Sequence, residues 1–214
     1  MKRIGVVCGG SHAAVLIEAI RLQQAGEVVC VFDDDPSRLG DDIFGVPVIG
    51  PVSSLDHHRA ALEFSSVVIG MANYNRRREQ QELFAQMRGR GLDVLTVVHP
   101  SAFVSPTAQL GGGVFVGPGA VLHARAQIGD NVVINTGATV DHDAWIGPHV
   151  FVSPGVCMAG HVRIEQRAYV GPGAILGSRV RIGRDAVVGA GACVLRDVGS
   201  GAKVFGLPAR PVAE

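Results

Sequence analysis

The sequence predicts a small parallel α/β domain over residues 1–98, a parallel β-helix over 99–199, and a tail over 200–214. Three observations predict this. From Val104 to Val194 an aliphatic residue or Met recurs at every sixth position without a slip. Before that repeat, strand-like and helix-like segments alternate, as they do in parallel α/β domains. The composition is also lopsided: 29 Gly in 214 residues and only 5% aromatics, beside 47% hydrophobic residues. Such a chain is too apolar to be a disordered linker. It is also too poor in aromatics for an ordinary core throughout.

The elements of the α/β domain follow in order. Ile4–Cys8 is a short apolar strand, and Gly9-Gly10-Ser11 turns it into a helix from His12 to Ala25 that Gly26 ends. Val28–Phe32 is a second strand, closed by Asp33-Asp34-Asp35-Pro36. Val67–Ile69 is a third, ending at Gly70. Arg76–Arg90 is a polar helix with Leu83, Phe84 and Met87 on one side, and Val94–Val98 is a fourth strand. This is a small Rossmann-like sheet, and His99-Pro100-Ser101 leads out of it.

The period of six belongs neither to a helix nor to a lone strand; it suits a parallel β-helix, in which three hexads close one coil. The recurring aliphatic residue fills the interior. Four residues after each of them stands only Ala or Val, as at Ala108, Val114, Ala120 and Ala126, which fits a tight inner side. The Gly that often follows the aliphatic residue, as at Gly117, Gly129 and Gly171, is read as permitting the turns.

Composition excludes several function classes. With 19 basic and 19 acidic residues the formal net charge is +0, so no nucleic-acid partner is expected. No apolar run reaches transmembrane length and no signal peptide opens the chain, so no membrane partner is expected and the expected address is the cytoplasm. Cys8, Cys30, Cys157 and Cys193 sit in apolar contexts without CxxC spacing; they read as buried thiols of a reducing compartment.

Two places can carry chemistry. The first is the carboxyl edge of the sheet, where such folds bind ligands. Gly9, Gly10 and Ser11 open a helix whose N–H groups suit phosphate, Asp33 and Asp34 stand where a ribose-binding acid is placed, and Gly70 ends a neighbouring strand. The turn is not GxGxxG, so a mononucleotide or nucleotide-sugar site is favoured over a full NAD site; a purely structural turn with an acidic, solvated loop is the bland alternative. The second is a set of His residues in a repeat tuned to small and aliphatic side chains: His123, His142, His149 and His161. His149 is read as a solvated surface residue. His123, His142 and His161 are spaced by 19 and could form a zinc site. Alternatively His142, flanked by Asp141 and Asp143, is a general base with a carboxylate to fix its tautomer.

The Gly-turn with Phe32-Asp33-Asp34, Asn75-Arg76, His99-Pro100-Ser101-Ala102, Asn135-Thr136 with Asp141-His142-Asp143, Ser153-Pro154 with Ala159-Gly160, and Phe205-Gly206-Leu207-Pro208 together resemble one family along nearly the whole chain. It is the sialic acid O-acetyltransferase-type sugar acetyltransferases, which include the nucleotide-linked 4-amino-sugar N-acetyltransferases of bacillosamine and perosamine synthesis. The resemblance implies that the β-helix is left-handed. It implies that the α/β domain holds the nucleotide of a nucleotide-sugar substrate and that acetyl-CoA is the cosubstrate. It further implies a homotrimer with active sites between subunits. His142 matches the family's base. Asn135, Gly160, Pro172 and Gly173 match coenzyme-binding positions, with Ala190 and Pro208 matching more loosely. No metal is expected. Two departures stand out: His12-Ala13 where members often have Gly-His, and Phe151 where some carry a second His.

The expected reaction is direct N-acetylation of a nucleotide-linked 4-amino-4,6-dideoxy sugar, with O-acetylation of a sugar hydroxyl as the alternative. A carbonic-anhydrase-like zinc protein and a non-catalytic scaffold are further readings. A nucleotidyltransferase is disfavoured, because Gly9–Ala13 contains no cation.

Overall fold

The structure is a computed structural model and describes residues 1–212. The chain divides into two compact units, the first spanning Met1–Pro100 and the second beginning at Ser101.

The first unit contains β1 (Arg3–Val7), α1 (Ser11–Gln23), β2 (Glu27–Phe32), β3 (Asp42–Ile43), β4 (Val46–Gly50), α2 (Leu55–Ala61), β5 (Ser66–Ile69), α3 (Arg77–Gly89) and β6 (Asp93–Val94). Its sheet has the order β3-β4-β2-β1-β5-β6, parallel throughout except for the β3–β4 hairpin. β1 lies at the centre, so its Ile4, Val6 and Val7 are all buried, as a continuous apolar run requires. α1 buries Ala13, Leu16, Ile17 and Ile20, one face of a 3.6-residue period. Gln24 closes it in a left-handed conformation (φ 54°), with its N–H donating to the Ile20 or Arg21 carbonyl. The carboxyl ends of β1, β2 and β5 come together at Cys8–Gly10, Asp33–Asp35 and Gly70.

Two elements were not foreseen. β3 and β4 form a hairpin around Phe44-Gly45, both with positive φ (52° and 79°), as a two-residue hairpin turn demands. Pro47 obscures β4 in the sequence, and the strand tolerates it opposite Asp42 in the edge hairpin. α2 follows and buries Leu55. The expected strand Val94–Val98 is in fact two short strands, Asp93–Val94 and Val97–Val98.

The second unit is the parallel β-helix. Its two-residue strands pair with strands eighteen residues away: Val121 with Thr139, Thr139 with Cys157, Cys157 with Ile175. The interior is the predicted column of Leu122, Ile134, Ile146, Met158 and Ile164, each at most 1% exposed. The alternating small residues, such as Ala120, Ala126 and Ala138, are buried beside them.

The corners correct the reading of glycine. Every sixth residue from Gly113 to Gly191 has positive φ, and Arg125, Asn131, Asp143, His149, His161, Arg167, Arg179 and Asp185 are among them. The glycines directly after the aliphatic position are not left-handed. They are required by close approach: a Cβ at Gly129 would lie 2.8 Å from the Pro148 nitrogen, and at Gly171 2.7 Å from the Ala190 nitrogen.

Two further expectations are revised. His149 is not solvated: it is 9% exposed, and its Nδ1 is 3.0 Å from the amide nitrogen of buried Asn131, so burial lowers its pKa. Cys157 is exposed rather than buried, because it occupies the outward position of its strand. The tail begins by extending the coils, with Lys203 paired to Val187 and a final strand at Arg210–Pro211.

Candidate active site

His142 and Asp143 sit at one corner of the β-helix, and that corner recurs every eighteen residues as Arg125, Asp143, His161 and Arg179. His142 Nδ1 lies 2.8 Å from Asp143 Oδ2. Both oxygens of Asp143 also accept from Arg125, Nε to Oδ1 and the terminal nitrogen to Oδ2, each at 2.7 Å. The Arg125 fork, and then the His142 contact, hold the Asp143 carboxyl well below the usual carboxylate range. Asp143 is therefore an acceptor only, which places a proton on His142 Nδ1; in the neutral tautomer so fixed, the lone pair is on Nε2. Asp141 acts on the backbone instead. Its Oδ1 accepts from the His142 backbone N–H at 2.7 Å and shapes the turn.

Gly160 closes the other side of the imidazole. A Cβ at this position would stand 2.7 Å from both Nε2 and Cε1 of His142. The Gly160 carbonyl accepts from the Arg179 N–H at 3.1 Å and from Ser178 Oγ at 3.0 Å. Its own N–H donates to no acceptor among the described residues. Acyl transfer needs a group to take a proton and a group to receive negative charge on oxygen, and the imidazole and this backbone N–H are groups of those two kinds.

Of the three histidines spaced by 19, two meet. The His142 and His161 rings are edge-to-face with centroids 5.2 Å apart, and His161 Nε2 is 3.9 Å from Asp143 Oδ2. The ligand atoms of His142, Asp143 and His161 lie within 4.8 Å of one another, while His123 is outside this group. The donor set suits a metal poorly, because the only carboxylate already holds a bidentate Arg.

The other coenzyme-type positions spread along the coils. Pro172-Gly173 and Ala190 belong to a corner where Gly119, Gly137, Gly155, Gly173 and Gly191 are all left-handed glycines. Other corners place Arg, Asp or His in the same backbone conformation, so conformation alone does not demand five glycines. Around a Cβ at Gly119, Gly137, Gly173 or Gly191 there is open space, which makes this corner a smooth strip of backbone. Asn135 stands two residues before Gly137, and its Oδ1 accepts from the Thr136 N–H at 2.7 Å. Pro208 lies in the tail and lines a separate cleft with Arg196 and Arg210.

In the first unit a cavity of about 790 Å³ opens at the carboxyl edge of the sheet. Gly10, Ser11, His12 and Gly70 line it, with Arg76 as the only Arg or Lys among the lining residues. In the first turn of α1 the Ala13 N–H donates to the Gly10 carbonyl at 2.9 Å, and the positive end of the helix dipole faces this edge, which suits an anion. Burial pushes the His12 imidazole down to about 4, so it is neutral near pH 7. The acids serve the walls: Asp33 Oδ2 accepts from the Gly9 N–H at 2.6 Å, and Asp34 Oδ1 from the Val52 N–H at 2.8 Å. Gly9 is buried in that brace and is not among the lining residues. At Gly70 a Cβ would overlap the Cys8 carbonyl oxygen, so only glycine fits. Burial pushes the Cys8 thiol up to about 11 and Cys30 up to about 12, leaving both as protonated thiols.

Sequence reasoning missed Arg125, and missed α3 as a wall of the cavity through Glu79, Glu82 and Gln86. Counting back eighteen residues from Asp143 finds Arg125 at once. No comparable arithmetic exists for α3.

Among the described residues no helix is long and apolar enough to cross a membrane. Residues 107–142, 125–160 and 161–196 match the family described as bacterial transferase hexapeptide (six repeats). No curated protein matches the chain significantly. Solved structures match along its whole length. A His-to-Asn variant of perosamine N-acetyltransferase from Caulobacter crescentus, in complex with CoA and GDP-perosamine, is 35% identical; the match covers 100% of this chain and 98% of that one, with a TM-score of 0.93. The acetyltransferase domain of PglB from Neisseria gonorrhoeae, in complex with acetyl coenzyme A, is 31% identical over 99% of both chains, with a TM-score of 0.88. WeeI from Acinetobacter baumannii is 27% identical over 99% of this chain and 100% of that one, with a TM-score of 0.88. With the unbroken hexads and 35% identity over the full length, the chain belongs to the left-handed β-helix, hexapeptide-repeat family of acetyl-CoA-dependent sugar acetyltransferases.

Proposed function

We propose that the protein acetylates the amino group of a nucleotide-linked 4-amino-4,6-dideoxy sugar, by direct transfer from acetyl-CoA with His142 as general base. The observation that carries this reading is the His142 Nδ1–Asp143 contact of 2.8 Å, which leaves Nε2 for the reacting group, with the ring packed against Gly160. The sugar nitrogen attacks the thioester carbonyl carbon and forms the C–N bond. His142 Nε2 takes the proton from that nitrogen, and the Gly160 N–H receives the oxyanion. The C–S bond then breaks, and the proton passes to the departing sulfur, giving CoA and the amide. No acyl-enzyme is required.

The substrate class rests on the cavity at the first turn of α1 and on the GDP-perosamine bound by a 35%-identical relative. The strip of Gly119, Gly137, Gly155, Gly173 and Gly191 is the path assigned to the extended arm of the coenzyme. The reaction is assigned to the cytoplasm, where acetyl-CoA is at hand. The test is thiol release from acetyl-CoA against UDP-, dTDP- and GDP-linked 4-amino-6-deoxy sugars and their 4-hydroxy counterparts. Release with an amino sugar, the GDP-linked one foremost, is expected. Release with hydroxy sugars alone would turn the assignment to O-acetylation, and no release with any would overturn it.

We assign the active assembly as a homotrimer with its sites between subunits. Along one face the outward residues are Phe103, Val121, Thr139, Cys157, Ile175 and Cys193, with Phe103 55% and Ile175 48% exposed. Another face carries Gln127, Trp145, Arg163 and Arg181 instead. This mostly apolar outward column, with Phe103, Cys157 and Ile175 exposed, supports a subunit interface there. Sedimentation at three times the 22.3 kDa chain mass is expected, and a monomer would contradict it.

A further inference from the structure

We propose that Arg125 is a positioning residue for acetyl transfer: its guanidinium fork fixes the Asp143 carboxylate so that Oδ2 receives the His142 Nδ1–H and Nε2 stays aimed at the acceptor. The inference rests on the reading of His142 as the base.

The geometry is that of a three-part relay across two coils. Arg125 meets both Asp143 oxygens at 2.7 Å, a planar bidentate pairing that sets the plane of the carboxylate. Asp143 Oδ2 meets His142 Nδ1 at 2.8 Å. The carboxylate thus has no freedom to rotate without breaking one of three hydrogen bonds. Arg125 also holds a left-handed corner (φ 59°), a conformation that Gly adopts more easily and that Gly119 and Gly137 occupy nearby. The side chain is therefore present at some backbone cost.

Stability is a weak explanation for it. The Arg125 side chain is 65% exposed, and exposed ion pairs contribute little. A corresponding pair exists as an internal comparison. Arg167 grips Asp185 one coil later with the same fork, at 2.7 and 2.8 Å, and is only 16% exposed. That pair stands at a different corner from His142 and has the burial expected of a structural clasp.

Arg125 has an electrostatic consequence as well. The titratable and charged groups around His142 are Asp141 and Asp143 on its own turn, His123 and Arg125 from the preceding coil, and His161 from the following one, with Arg179 beyond it. Arg125 is a fixed positive charge against the Asp143 carboxylate and holds it ionised, so Asp143 stays an acceptor for the His142 ring.

The experiment is a double-mutant cycle read in kcat and KM separately. Arg125→Met is expected to lower kcat/KM by about ten- to hundredfold in the wild-type background, almost wholly in kcat, with KM for acetyl-CoA little changed. In the Asp143→Asn background the same change is expected to cost almost nothing. Free guanidinium should restore part of the activity of Arg125→Ala. Arg167→Met should lower Tm and leave kcat/KM where it was. Equal costs of Arg125→Met in both backgrounds, or a loss that falls in KM alone, would overturn the positioning role. His142→Asn distinguishes the two ways of failing: full activity there removes the base itself, whereas lost activity there combined with additive Arg125 effects removes only this inference.

Discussion

Replacing Gly160 with Ala is expected to lower kcat/KM by about 10²–10⁴-fold, nearly as much as loss of the base. The reason is steric and local. The new Cβ would sit 2.7 Å from two atoms of the His142 ring, closer than nonbonded atoms can lie. The Gly160 φ is not left-handed, so Ala fits the backbone itself. The ring must move, and it can, because the His142 side chain is 48% exposed. Moving it breaks the 2.8 Å contact with Asp143 and turns Nε2 away from the acceptor. The Ala residue keeps its backbone N–H, so the loss isolates displacement of the base from loss of the oxyanion donor. Thermal melting should change little, and thiol-release kinetics should show the fall mainly in kcat. Full activity in Gly160→Ala would mean that the ring position is unimportant.

His142→Asn carries the second large effect. Asn can still donate a hydrogen bond towards Asp143, but it has no basic nitrogen. The expected loss is again about 10²–10⁴-fold in kcat/KM. Acetyl-CoA affinity, measured by calorimetry, should stay near the wild-type value, because the base acts on the reacting nitrogen rather than on the coenzyme. The residual rate should reflect positioning of the two substrates alone. A variant that lost coenzyme binding instead of turnover would make His142 a binding residue.

How much of this was legible in the sequence follows from which positions have one physical demand. The interior column from Val104 to Val194 must be aliphatic at every coil, so sixteen hexads announce themselves. His142 stood out because it breaks that composition. Its choice between Asp141 and Asp143 was not legible, since both are adjacent in sequence. The corner geometry separates them, turning Asp141 onto a backbone N–H and Asp143 onto the ring. Glycine misled, because the same residue answers two demands, left-handed corners and close approach between coils, and only the structure assigns Gly119 to one and Gly129 to the other. His149 misled for the opposite reason: a polar residue suggests solvation, while at its corner Asn131, one coil earlier, lies 3.0 Å from its Nδ1 and both are buried. The β3–β4 hairpin was hidden by strands of two and five residues and by Pro47.

The most direct test of the central claim is the pH dependence of kcat/KM for wild type and His142→Asn with the same nucleotide-linked amino sugar. The Asn variant should be slower at every pH, by about 10²–10⁴-fold where wild type is fastest, because no nitrogen is left to take the proton. An unaltered rate across the range would contradict the assignment of His142 as the general base.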